Sequence, residues 1–228
     1  MIISHKYKFI FIKTVKTAGT SIEVFLSPHC GDRDTVTPIY PHVEPHVARN
    51  FRGLWNPLSE VVMHKGRGLK HTGTRFVMLR KFYNHIPAID VRARVSRDIW
   101  NSYFKFCVER NPWDKTLSHY HMINARAGGA MTLDEYFRLG NFCVNHPLYT
   151  DHDGSAIVDR VVRYEDLAAE LGGLFARLGI PFEGALGVRA KADYRTDRTP
   201  YRDVFSGEQR KIIERVFERE ISMHGYQY

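Results

Sequence analysis

In "KTAGTS", residues 16–21, Lys16 brings a full positive charge, and Thr17, Thr20 and Ser21 bring hydroxyl donors. Ala18 and Gly19 leave the backbone between them uncovered. Directly before this stretch runs "YKFIFIKT" (7–14), apolar and rich in β-formers. A strand that empties into a tight turn and a helix N-terminus gathers unpaired N–H groups at one point, where the helix dipole also favours negative charge. Such a turn suits a phosphate. It is not the Walker A loop, G-x-x-x-x-G-K-[ST], because here the lysine precedes the glycine. No Walker A string occurs in the chain, so magnesium held by a loop hydroxyl is not implied. The plainer alternative is a strand-to-helix turn carrying a solvated lysine.

A second group of anion-holding residues stands in "FKFCVERNPWDKTLSHY". Arg110 lies at the end of an expected strand, and Ser118 follows eight residues later inside the next helix. A guanidinium fork and a hydroxyl brought to one ligand from those two places suit a second phosphate. The alternative is an ordinary helix entry, with Asn111 as cap, Pro112 in first position and Ser118 incidental.

Both stretches together resemble sulfotransferases that use 3′-phosphoadenosine 5′-phosphosulfate (PAPS). "KTAGTS" resembles the 5′-phosphosulfate loop of that family. "RNPWDKTLS" resembles its 3′-phosphate motif, in which an arginine precedes a serine by eight residues. "WNSYFKFCVERNPWDK", "VVRYEDL" and "YRTDRTPYRDVF" are similar to the bacterial branch related to carbohydrate sulfotransferases. The likeness runs in order from about residue 7 to the C-terminus and is weakest over residues 30–75.

The resemblance implies that Lys16 contacts the oxygen bridging phosphorus and sulfur, while Thr17, Ala18, Gly19, Thr20 and Ser21 hold the 5′-phosphate. Arg110 and Ser118 would hold the 3′-phosphate. Arg195, Arg198 and Tyr201, in "YRTDRTPYR" (194–202), fall in what looks like the family's nucleotide-covering loop; a solvated charged turn is the alternative there. PAPS is then the cosubstrate and PAP the product, with no metal required. The family places a histidine shortly before its second motif, and His85 in "YNHIPAIDVRARV" matches, so His85 is the expected general base. His46, Glu44, His64 and His71 are its rivals. One departure stands out: where many relatives have an apolar residue before the arginine, this chain has Glu109. If Glu109 faces away from the ligand, nothing is lost; if it faces inward, it is expected to pair with Arg110 and weaken phosphate binding.

The rest of the composition limits the alternatives. Thirty-three Lys and Arg against twenty-five Asp and Glu leave a net +8, which favours anionic partners. A nucleic-acid module lacks a recognisable helix pair or zinc spacing. A P-loop-like kinase lacks the glycine–lysine order. "PHVEPH" places His42 and His46 four apart, but Pro41 and Pro45 argue against the helix that would align them on a metal, and "DHDG" (151–154) lacks the remaining ligands of a calcium loop. Cys30, Cys107 and Cys143 are sparse and lack CxxC spacing, which fits a reducing cytoplasm. No run approaches the roughly 18 apolar residues of a membrane span. "MIISHKYKFIFIKT" reads as a first strand, not a signal peptide. A cytoplasmic enzyme is expected, acting on a small-molecule or saccharide acceptor, with neither nucleic acid nor membrane as partner.

To bring these residues together, one domain over residues 1–228 is expected: an α/β, P-loop-like, doubly wound and mainly parallel sheet flanked by helices. Strands are expected at 7–14, 75–80 ("RFVMLR"), 103–111 and the start of 156–167. Helices are expected after the first turn as far as Pro28, over 89–103, from Pro112, from the Thr132–Glu135 capping box to Gly140, and up to Gly179. The last helix begins at the Ser206–Gln209 box and ends at Gly225. Residues 29–75 are expected to be irregular, and about 30–75 to shape the acceptor pocket.

Overall fold

The N-terminal segment makes two strands where one is expected. β1 (Ile2–Ser4) and β2 (Phe9–Phe11) pair antiparallel, with Ile3 opposite Ile10. His5, Lys6, Tyr7 and Lys8 turn between them, and Lys8 takes a left-handed φ of 54°. Asp34 fastens this turn, accepting from His5 N at 2.7 Å and from Ser4 Oγ at 2.8 Å. The chain then forms the loop over 12–18 and α1 (Gly19–Leu26), which gives way to a short 3₁₀ turn containing Pro28. The structure, a computed structural model, describes residues 1–65, 69–188 and 199–228.

Residues 29–75, expected to be irregular, contain β3 (Thr35–Val36), α2 (Pro57–Met63) and most of α3 (Leu69–Val77). Asn56 caps α2, its side chain accepting from Leu58 N at 3.0 Å, and Pro57 opens the helix. "RFVMLR" is therefore no strand: its first half ends α3. Helical spacing puts Thr72 and Phe76 on one face, where Thr72 Oγ1 donates to Glu60 at 2.7 Å and Phe76 meets Trp55 edge-on at 5.4 Å. Those contacts with Trp55 and with Glu60 of α2 override the β-preference of the local residues.

The helix expected over 89–103 is broken into α4 (Ala88–Arg94) and α5 (Arg97–Ser102). Val95 is extended, and Ser96 caps the second piece by accepting from Ile99 N at 3.2 Å. β4 (Phe104–Glu109) and α6 (Pro112–Arg126) stand where expected, with Asn111 Oδ1 capping Trp113 N at 3.1 Å. α7 (Leu133–Leu139) has the Thr132–Glu135 box and a left-handed Gly140. The short α8 (His146–Tyr149) was not expected. β5 (Arg160–Arg163) and α9 (Leu167–Leu178) follow, and α9 stops at Gly179. α10 (Tyr201–Val204) precedes the C-terminal helix, which bends at Phe217 into α11 (Gly207–Val216) and α12 (Glu218–His224).

The five strands lie in the order β3-β1-β2-β4-β5. β2, β4 and β5 run parallel, whereas β1 is antiparallel to both its neighbours. The sheet is thus mixed rather than mainly parallel, because the tight turn at His5–Lys8 can only join antiparallel strands. Alternation along the strands feeds two cores. Phe9, Phe11, Phe106 and Val108 pack with Ile22 of α1 and Leu171 and Phe175 of α9. Ile10, Ile12 and Cys107 pack on the other face with Val91, Trp100 and Tyr149. Among the described residues, no helix is long and apolar enough to cross a membrane.

Candidate functional site

The loop from β2 to α1 is held from below. Thr14 Oγ1 bonds to the Thr17 hydroxyl at 2.7 Å and donates to the Val108 carbonyl of β4. Asn145, fully buried, grips the Val15 backbone on both sides of its Cα: its Oδ1 accepts from Val15 N at 2.8 Å and its Nδ2 donates to Val15 O at 3.0 Å. Lys16 and Ala18 then take left-handed φ values of 62° and 59°, with Thr17 between them outside that region. Backbone that alternates in hand this way tends to turn successive N–H groups to one side, the geometry of a concave nest. Ala18 is the N-cap of α1 and supplies no side-chain cap, so the uncapped first turn lines the cleft.

Gly19 is required by packing as well as by backbone access. A Cβ there would sit 2.7 Å from Lys13 Cγ and 3.4 Å from Thr14 O. Lys13 cannot easily yield, because its Nζ is buried against Glu23 Oε2 at 2.5 Å.

Arg110 follows β4 and reaches across to this loop. Its NH1 donates to Lys16 O at 3.2 Å, and the guanidinium lies 4.2 Å from the Tyr164 ring centre. Its carboxylate partner is Asp114, one helical turn on, at 2.6–2.8 Å. Glu109 turns away from the cleft, which it does not line, and is fully buried, and its carboxylate does not take the Arg110 guanidinium. It accepts from Lys115 at 2.7 Å, Asn145 at 3.2 Å, Tyr149 at 3.2 Å and the Arg110 backbone N–H at 2.9 Å. Lys115 also reaches Glu220 of α12 at 2.5 Å. Against burial, which pulls the Lys115 pKa down, these two carboxylates hold it above the usual lysine range.

The loop and Arg110 open onto one cleft of about 1350 Å³ at the carboxyl ends of the parallel strands. That is where ligands gather in open α/β sheets. Lys16, Thr17, Ala18, Gly19, Thr20, Ser21, Arg110, Ser118 and His85 all line it. No aspartate or glutamate does among the described residues. Sequence reading missed Met122 and Arg126, which line the cleft from α6 at four and eight residues past Ser118. Helical period was the signal that could have found them. Burial, then the charges of Lys16 and Arg126, pushes the nearby His119 down to about 4. Leu167, Leu171, Phe182 and Leu186 form an apolar wall.

His85 is half-buried, with a left-handed φ of 56° and its Nδ1 3.1 Å from Lys13 O. A neutral ring donating from Nδ1 to that carbonyl carries its lone pair on Nε2. The rivals lie elsewhere: His46 is buried, Glu44 is exposed beside His42, and His64 pairs with Asp90 at 2.6 Å. None of them lines the cleft. The side chain of His71 lies outside the described residues, as do Arg195 and Arg198. Tyr201 does not line the cleft; its ring packs on Tyr228 at 5.6 Å and its hydroxyl is 3.5 Å from Asn111 Nδ2.

Glu60, His64 and Asp90 cluster closely enough to suggest a metal. Arg94, however, occupies the cluster, donating to Glu60 at 2.7 Å, while Thr72 and Trp55 fill the remaining Glu60 lone pairs. A guanidinium in that position repels a cation.

No family model matches the chain, and no solved structure matches it. An uncharacterized protein of Archaeoglobus fulgidus is 30% identical over 113 residues, which make up 47% of this chain and 94% of the archaeal one.

Proposed function

This chain and the archaeal protein belong to one family, and from the site itself we propose that the chain is a PAPS-dependent sulfotransferase with a P-loop-like nucleotide site. The observation that carries this reading is a convergence. The Lys16–Ser21 nest and the Arg110–Ser118 pair, some ninety residues apart in sequence, open onto one cleft that has no acidic lining among the described residues. Two separate cationic, hydroxyl-bearing sites suit a nucleotide with phosphates at two ends better than a triphosphate chelating magnesium.

In this reading the acceptor oxygen attacks sulfur, the bond from sulfur to the bridging oxygen breaks, and PAP leaves with the charge. Lys16 neutralises that charge as it grows. His85 takes the acceptor proton on Nε2, with Nδ1 anchored on Lys13 O. Arg110, already oriented by Asp114 and Lys16 O, holds the 3′-phosphate with Ser118. The acceptor is a hydroxyl of a saccharide or another hydroxylated metabolite.

Thermal unfolding with PAP, and separately with ATP and magnesium, tests the proposal, since a ligand bound only by the native state raises Tm. PAP without metal should stabilise the protein and ATP–magnesium should do so less. Stabilisation by ATP–magnesium alone would favour a kinase-like site and end the sulfotransferase reading.

A further inference from the structure

Residues 45–81 hold eight Lys and Arg and a single acid, Glu60, a net +7 out of the whole chain's +8. Glu60 is buried on Arg94, and the exposed acid that comes near the segment from outside is Asp153, beside Lys65. The same segment exposes large apolar side chains. Leu58 and Val62, one turn apart on α2, are 69% and 77% exposed, and Leu54, Val77, Met78 and Leu79 are exposed too. Gly53 N donates to Leu79 O at 3.0 Å, which joins the 77–79 corner to Leu54. Arg52, Lys65 and Arg80 stand exposed around them.

We propose that this surface docks on an anionic lipid bilayer. Apolar side chains that enter the acyl boundary and cations that remain among anionic headgroups reinforce each other. A soluble polyanion would use the charge and leave the apolar side chains in water. A second copy of the chain would set the exposed cations Arg52, Lys65 and Arg80 against their own copies. This replaces the expectation of no membrane partner, and it is independent of the nucleotide reading. The chain passes from Arg80 to the cleft-lining His85 in five residues, at most about 18 Å of extended chain. A docked molecule therefore works close to the headgroup layer.

Co-sedimentation with vesicles tests the proposal. The protein should pellet with vesicles of phosphatidylcholine and phosphatidylglycerol and stay in solution with phosphatidylcholine alone. Leu58→Ser with Val62→Ser should weaken binding by about tenfold or more, and Arg80→Glu severalfold, while thermal unfolding stays close to that of the parent. No binding to the anionic vesicles would overturn the proposal. So would binding that ignores the two apolar substitutions, which marks a polyanion site, or a dimer in light scattering that those substitutions dissolve, which marks a second copy as occupant.

Discussion

Asn145→Ala should loosen the cleft floor and the loop above it together. The side chain makes three hydrogen bonds, two to the Val15 backbone and one to Glu109, and is fully buried. Val15 is half-buried beside the cleft, so water can partly replace its two lost bonds. Each then costs about 1 kcal/mol, and the bond to a charged carboxylate about 1.5 kcal/mol. The sum is about 3.5 kcal/mol, a large share of the stability of an ordinary domain. For a chain of this size, each kcal/mol lowers Tm by about 2–4 °C, so a fall of about 7–14 °C is expected. Scanning fluorimetry and urea unfolding would measure it. The same variant should gain less stabilisation from PAP than the parent, because Val15 precedes Lys16 and its peptide fixes where the nest begins. Asn145→Asp at neutral pH should cost at least as much, since a second carboxylate would face Glu109 and the Val15 carbonyl. A Tm within about 2 °C of the parent would refute the energetic reasoning. An unchanged PAP response would show that Asn145 anchors the fold without positioning the loop.

Gly19→Ala should destabilise by about 1–3 kcal/mol despite alanine's better helix propensity, because Lys13 must shift off Glu23 to admit the Cβ. Equal or higher stability in urea would contradict that. Arg110→Ala should weaken PAP binding by about 2–5 kcal/mol in calorimetry, and Lys16→Ala should depress turnover more than affinity. Unchanged PAP affinity in the first variant would remove the 3′-phosphate assignment. Acid should also destabilise the fold. Burial, then neighbouring positive charge, lowers both His46 and His119 to about 4, so the unfolded chain takes up these protons first. Their contribution is full above about pH 6.5 and is lost as pH falls towards 4, at about 1.4 kcal/mol per unit for each. Glu220, pushed upward by burial and Glu109, works in the opposite direction. A urea midpoint that stays flat from pH 7 to 5 would refute the histidine account.

Elements with their own punctuation were legible from sequence. The Thr132–Glu135 and Ser206–Gln209 boxes, the Asn111–Pro112 entry and the stops at Gly140, Gly179 and Gly225 all stand where the residues put them. Each is a local hydrogen-bond or φ requirement that nearby residues meet by themselves. The Asn56–Pro57 start of α2 carried the same signal as Asn111–Pro112 and was overlooked amid proline, glycine and histidine. "RFVMLR" misled because its Phe76 answers to Trp55, some twenty residues earlier, and such a partner is invisible along the chain.

The candidate site divides in the same way. The residue types of "KTAGTS" and the spacing from Arg110 to Ser118 supply cations and hydroxyls that suit an anion wherever the chain folds. That both stretches line one cleft depends on β2 and β4 being parallel neighbours, a pairing across some ninety residues. Asn145 could not be singled out beforehand, because its importance comes from reaching Val15, 130 residues earlier. The direction of Glu109 was equally undecided by sequence. Strand alternation gives a side chain one of two faces, and only Lys115, Asn145 and Tyr149, arriving from elsewhere in the chain, supply the partners a buried carboxylate needs on the face turned from the cleft.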